Sequence, residues 1–174
     1  MSKHILNTKS GKFVLHVENG ILQMIDLPLE EIPDDKPDEL AQDTESLKVV
    51  KIFNQALEKF LTGRFSEIDF DALESYWQIP QLPFYSKVYR AVMKIKPGET
   101  MSYKEVAKLC GNENASRAVG GAMRNNPYPL LIPCHRVIGA DGKMVGYAGK
   151  KGVKIKQKLL NWEKEAKAGV RFVF

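Results

Sequence analysis

The chain has 174 residues, of which 44% are apolar and 27% charged, the proportions of an ordinary globular protein of one or two small domains. No apolar run approaches the roughly 20 residues needed to span a bilayer, and the opening MSKHILNTKSGK lacks an apolar stretch followed by a small-residue cleavage site, so neither a membrane protein nor a secreted one is predicted. Two cysteines (Cys110, Cys134) and three histidines (His4, His16, His135) are too few and too scattered for a disulfide framework or a zinc signature. They predict a reducing, cytoplasmic setting (nuclear in a eukaryote), with no metal and no cofactor.

The net charge of +5 is unevenly spread. Residues 1–82 carry 8 Lys+Arg against 15 Asp+Glu, whereas residues 83–174 carry 18 against 6. So basic a second half suits a polyanion held through its phosphates, although a solvated lysine-rich surface would have the same composition.

In chain order, residues 13–17 and 21–27 are β-prone runs separated by Glu18-Asn19-Gly20, whose Asn-Gly pair predicts a tight hairpin turn. Residues 28–43 are acidic and hold Pro28, Pro33 and Pro37, which reads as an exposed connection. From 46 to 61, Leu47, Val50, Phe53, Ala56, Leu57, Phe60 and Leu61 recur at helical spacing, and Gly63 follows as a C-cap. These elements make a small α/β domain over 1–80. The prolines of Ile79-Pro-Gln-Leu-Pro83 mark the passage to a second domain over 81–174.

That second half is predicted to be mostly helical. A helix over 86–95 is stopped by Pro97-Gly98, and Ser102-Tyr-Lys-Glu105 has the form of a capping box opening a helix over 103–109. After the turn residues 111–114 comes a helix over 115–124, so the pair describes a helix-turn-helix. A last helix over 153–167 should end at Gly169. In the 115–124 helix, Arg117, Gly120, Gly121 and Arg124 share one face, while Val119 and Met123 share another. Two adjacent glycines there cost about 1 kcal/mol each relative to alanine. They answer either to close packing on a neighbouring helix or to a nucleic-acid backbone approaching a face flanked by arginines.

Cys134 follows the apolar run Leu130-Leu131-Ile132 and precedes His135 and Arg136. A cysteine after an apolar run reads first as an inert buried residue. Electropositive neighbours instead predict a thiolate-prone nucleophile, with the reservation that successive side chains of an extended segment point to opposite sides. Cys110 has only Lys108 nearby and reads as structural.

Ile132-Pro-Cys-His-Arg-Val137 resembles the active-site motif of the O6-alkylguanine-DNA alkyltransferases. The resemblance continues through Ser102-Tyr103, Ser116-Arg-Ala-Val-Gly-Gly-Ala-Met-Arg-Asn-Asn-Pro127, Val145-Gly-Tyr-Ala-Gly149 and Lys158-Leu-Leu-Asn-Trp-Glu163, in the right order. It implies a ribonuclease H-like α/β first domain and a mostly α second domain with a winged helix-turn-helix. It implies further that Cys134 takes an alkyl group from guanine O6, or from thymine O4, in a single turnover. In that scheme His135 is the base acting through a water, Glu163 orients His135, Tyr103 protonates the departing guanine, and Asn126 ties the helix-turn-helix to the active-site turn. The carbonyls of Cys134 and Val137 and the amide of Ala148 read the base, Gly149 borders it, and Met123 and Tyr147 line its apolar sides. Arg117 fills the stack vacated by a flipped nucleotide, with Gly120, Gly121 and Arg124 beside it in the minor groove. The implied partner is double-stranded DNA carrying alkylated guanine, bound by a monomer. Ala148 stands where several family members have serine, and no cysteine precedes Cys110 to bind the zinc that some members carry. A helix-turn-helix regulator and a Cys/His hydrolase are the rival readings.

Overall fold

The computed structural model describes residues 1–28, 43–80, 82–144, 149–166 and 170–174, with the backbone alone at 149–151. Most of the 28–43 connection, Tyr147, Ala148 and the stop at Gly169 therefore lie outside the described residues. The chain divides into two compact units, Met1–Gln78 with Ala168–Phe174, and Ile79–Lys167. The division falls after Gln78, where a boundary at 80/81 is expected, and the C-terminal segment joins the first unit instead of running on with the second.

The first unit is an antiparallel meander, β1 (Ser2–Thr8), β2 (Gly11–Glu18) and β3 (Ile21–Asp26), with β2 central. Asn19 and Gly20 both take positive φ, 51° and 69°, the conformation that a two-residue type I′ turn demands. β1, absent from the sequence reading, pairs with β2 along its whole length, from Ser2 opposite Val17 to Thr8 opposite Gly11. Helix α1 (Thr44–Leu61) packs on β2 and β3. Asp43 caps it by accepting from the Ser46 N–H at 2.7 Å. The helix ends in a Schellman motif, with Gly63 (φ 72°) donating to Phe60 O and Arg64 to Lys59 O. Its buried face runs through Val49, Phe53, Ala56, Leu57, Phe60 and Leu61. Leu47, expected on that face, is exposed, and Val49 takes the inward place four residues before Phe53.

A short helix α2 (Phe70–Glu74) leads to Trp77, which packs on Phe53, and Phe172 from the C-terminal segment is buried in the same unit. Phe172 N donates to Leu61 O at 2.8 Å, and Phe174 N to Ser10 O at 3.1 Å.

The second unit holds α3 (Pro83–Met93), β4 (Met101–Ser102), α4 (Tyr103–Leu109), α5 (Ser116–Arg124), β5 (Val137–Ile138) and α6 (Gly149–Glu165). Proline at the first turn lets α3 begin three residues earlier than expected, since its missing N–H has no partner there anyway. Both halves of the expected capping box form at α4: the Ser102 side chain accepts from the Glu105 N–H, and the Glu105 carboxylate accepts from the Ser102 N–H. Helices α4 and α5 pack on each other and on α3, burying Val106, Ala107, Val119, Ala122 and Met123. Tyr89 on α3 donates to Ala122 O at 2.9 Å and ties α3 to α5. β4 and β5 pair in parallel, which brings the start of α4 beside the segment that follows Cys134. No helix among the described residues is long and apolar enough to cross a membrane.

Candidate active site

Cys134 opens a single 3₁₀ turn, Cys134–Arg136, between an apolar segment and β5. The approach to this turn is tight: Ile132 N donates to Tyr128 O at 2.8 Å, and the buried Leu130 sits at φ 73°. A non-glycine residue in that region costs about 1–2 kcal/mol and persists only where the surroundings fix it. Asn126, two residues past α5, does much of the fixing. Its Oδ1 accepts from Tyr128 N at 3.0 Å, and its Nδ2 donates both to Ile132 O at 2.8 Å and to Cys134 Sγ at 3.1 Å.

The turn sends the next two side chains to α6. His135 Nε2 lies 2.8 Å from Glu163 Oε1, both side chains fully buried. An ionised carboxylate only accepts, so the imidazole proton sits on Nε2 and Nδ1 is the basic nitrogen. Arg136 donates from Nε to both oxygens of Glu163 at 3.0 and 3.2 Å, and from one terminal nitrogen to Oε1 at 2.7 Å. Its other terminal nitrogen donates to Ile95 O at 2.6 Å. Gly98 N donates to Glu163 Oε2 at 3.0 Å. Burial works to raise the Glu163 carboxyl, but the hydrogen bonds and charges of His135 and Arg136 outweigh it and hold the group at about 2. Burial lowers His135, with Arg136 and Lys156 acting in the same direction and Glu163 opposing.

The expectation that His135 and Arg136 would favour a thiolate is corrected by this geometry. Burial is the largest influence on Cys134 and pushes its thiol up; the Asn126 hydrogen bond and the Lys156 charge only partly offset it. The Arg136 guanidinium is committed to Glu163 and Ile95 O, so the cation bearing on the sulfur is Lys156. This fully buried residue of α6 donates its ammonium to Val137 O, one of the carbonyls expected to read the base, and lies 5.9 Å from the Tyr103 ring centroid. Burial brings it down to about 8. Tyr103, at the start of α4, is half-buried and is raised by burial and then by the proximity of Cys134.

The structure thus sets two hydrogen-bonded pairs on one turn, Asn126 with Cys134 and His135 with Glu163, with Tyr103 and the Val137 carbonyl both close to the Lys156 ammonium. Met123 is buried on α5. Arg117 and Arg124 are exposed on that helix, as the shared face requires. The glycines between them differ. A Cβ on Gly121 would lie 2.6 Å from the hydroxyl at the far end of the half-buried Tyr85 side chain, which would have to shift to admit it. A Cβ on Gly120 would meet only the edge of Tyr103 at 4.0 Å. Gly149 begins α6. Sequence reasoning missed Arg136 as a partner of Glu163, and missed Lys156 altogether. The signal for Lys156 was available: it stands seven residues before Glu163, two helical turns along the same face.

Known proteins resemble this chain in sequence and in fold. Residues 83–165 match the family described as 6-O-methylguanine DNA methyltransferase, DNA binding domain. A methylated-DNA–protein-cysteine methyltransferase of Methanosarcina acetivorans is 51% identical over 80 residues, 46% of this chain and 50% of that protein. The protein of that name from Methanosarcina barkeri is 40% identical over 116 residues, 65% of this chain and 69% of its own length. The chain therefore matches between half and about two thirds of these relatives. The crystal structure of Mycobacterium tuberculosis OGT in complex with DNA superposes with a TM-score of 0.73 at 29% identity, covering 98% of this chain and 97% of that one. The motif around the buried cysteine, the helices that carry it and the extent of these matches agree: the chain belongs to the methylated-DNA–protein-cysteine methyltransferase family.

Proposed function

We propose that the protein repairs DNA by moving a methyl or other alkyl group from guanine O6, or thymine O4, onto its own Cys134, once per molecule. The observation that carries this reading is the Cys134 sulfur held by Asn126 in the turn that also delivers His135 to a buried, ionised Glu163. His135 Nδ1 takes the thiol proton through a water while Glu163 orients the ring, giving a nucleophile, base and orienter in series. The sulfur attacks the alkyl carbon in line, an S–C bond forms, the C–O bond breaks, and guanine leaves with its electron pair. Tyr103 supplies the proton that the departing base takes up, so one proton leaves the thiol side and one arrives at the base. The raised thiol is consistent with a sulfur activated only when a substrate sits above it and the relay accepts its proton.

A stacked base cannot reach a buried sulfur, so the nucleotide is flipped out of double-stranded DNA. Arg117 enters the gap it leaves, and Gly120 and Arg124 lie along the groove. The carbonyls of Cys134 and Val137, the backbone of Ala148 and Gly149, and the side chains of Met123 and Tyr147 surround the base. In this reading the first domain is a ribonuclease H-like α/β unit, the second contains a winged helix-turn-helix, and a cytoplasmic or nuclear monomer suffices.

The test is a mass measurement after mixing the protein with a duplex oligonucleotide containing O6-methylguanine. One added methyl group per chain, on Cys134, is expected, and Cys134→Ala should bind the duplex yet gain no mass. No mass change in the wild type would favour a DNA-binding regulator, and repeated turnover would favour a hydrolase. Arg117→Ala should slow transfer from duplex DNA more than transfer from a free alkylated base.

A further inference from the structure

Glu163 has two oxygens, and five hydrogen bonds from three residues converge on them. Three of the five come from Arg136, the residue directly after the proposed base, and they grip the carboxylate from one side through Nε and one terminal nitrogen. The guanidinium is anchored in turn by Ile95 O, just before the Pro97-Gly98 stop, and the Gly98 N–H takes Oε2. His135 is left with Oε1 alone. A carboxylate on a flexible two-carbon stem could otherwise rotate about its last bond and offer either oxygen, or neither.

We propose that Arg136 is the positioning residue of this relay: its fork fixes the plane of Glu163 so that a single oxygen receives His135 Nε2–H, which keeps Nδ1 as the basic nitrogen. A lysine could supply the charge but not the planar two-pronged grip. Burial is the largest influence on how strongly His135 holds a proton, and the arginine adds to it in the same direction. The charged groups acting on His135 are Glu163 and Lys156 from α6 and Arg136 from its own turn, with Cys134 preceding it. Glu163 favours the imidazolium, whereas the two cations oppose it. The histidine therefore accepts a proton during the reaction without being protonated beforehand.

The inference rests on the alkyl-transfer reading for one of its two readouts only. The first readout is nitrogen NMR of the histidine rings in the full-length protein across pH, which reports the His135 tautomer and titration with no substrate present. The second is the pH profile of single-turnover methyl transfer from O6-methylguanine duplex DNA. Arg136→Gln should shift the His135 titration upward, mix its tautomers, and slow transfer at neutral pH about tenfold or more. Arg136→Lys should return the titration toward the wild-type position while leaving the tautomers mixed and transfer still slow. A folded Arg136→Gln protein with wild-type tautomer, titration and pH profile would overturn the inference. Should the glutamine variant not fold, an unchanged tautomer and profile in Arg136→Lys would overturn it equally. Failure of the wild type to transfer would count against alkyl transfer instead, and the NMR would still decide the role of Arg136.

Discussion

Each unit of the molecule contains a histidine within 2.8 Å of a carboxylate, and the two pairs behave as different objects. In the first unit His16 Nε2 lies 2.7 Å from Asp26 Oδ2, on neighbouring strands, with the aspartate side chain 46% exposed. In the second, His135 and Glu163 meet at 2.8 Å with no exposure on either side chain. Distance alone would rank them equal. Water competes for Asp26 and screens its charge, so a contact of that kind contributes little to stability. Glu163 has no water to fall back on, and its ionised state depends on Arg136, Gly98 and His135 together. A histidine–carboxylate contact acquires chemical consequence from what surrounds it, and here a third residue does the surrounding.

The comparison can be broken most forcefully at Glu163. Glu163→Ala leaves Arg136 buried without its counter-charge, and urea unfolding should show a loss of about 3–5 kcal/mol. A loss comparable to that of a surface pair would mean that the network is dispensable. Acid should sharpen the contrast next. Glu163 is held at about 2 in the fold against an ordinary 4.5, so its contribution is complete above about 4.5 and is lost as the pH falls toward 2. His135, held below its ordinary 6.5, adds a loss that starts earlier, because the unfolded chain takes up that proton first. Urea midpoints measured at descending pH should therefore fall in two stages, and Glu163→Ala should shrink the lower one to what the lowered Asp43, Glu105 and Asp141 carboxyls contribute.

A smaller effect separates the two glycines of α5. Gly120→Ala meets no close neighbour and should raise stability by up to about 1 kcal/mol, while weakening duplex binding in a titration. Unchanged binding would remove the close approach of DNA at that position. The smallest effect belongs to the exposed pair: Asp26→Ala should cost under about 1 kcal/mol by the same urea measurement.

Local chemistry with a short reach was legible in the sequence. The Asn19-Gly20 turn, the Ser102–Glu105 capping box, the Gly63 stop and the paired helices α4 and α5 all follow from residues a few positions apart. β1 was not, because only His4 along it is buried, leaving no apolar alternation; the backbone ladder to β2 holds it, and a ladder has no side-chain signature. At the site, family resemblance supplied Cys134, His135, Asn126 and Glu163. Nearness in sequence misplaces the charge of Arg136: it stands two residues after Cys134, whereas the 3₁₀ turn sends the guanidinium to Glu163, 27 residues away. Lys156 was lost among the lysines of a basic helix; burial, which composition cannot display, distinguishes it.

The first unit is written in two pieces, with the whole of the second unit inserted between them. Phe172 reaches the core of the first unit only after the ribosome has passed every residue of the second, so the β-sheet half waits on residues 170–174 to complete its interior. Clipping residues 170–174 would leave the cysteine and its relay intact in sequence and strike the N-terminal half.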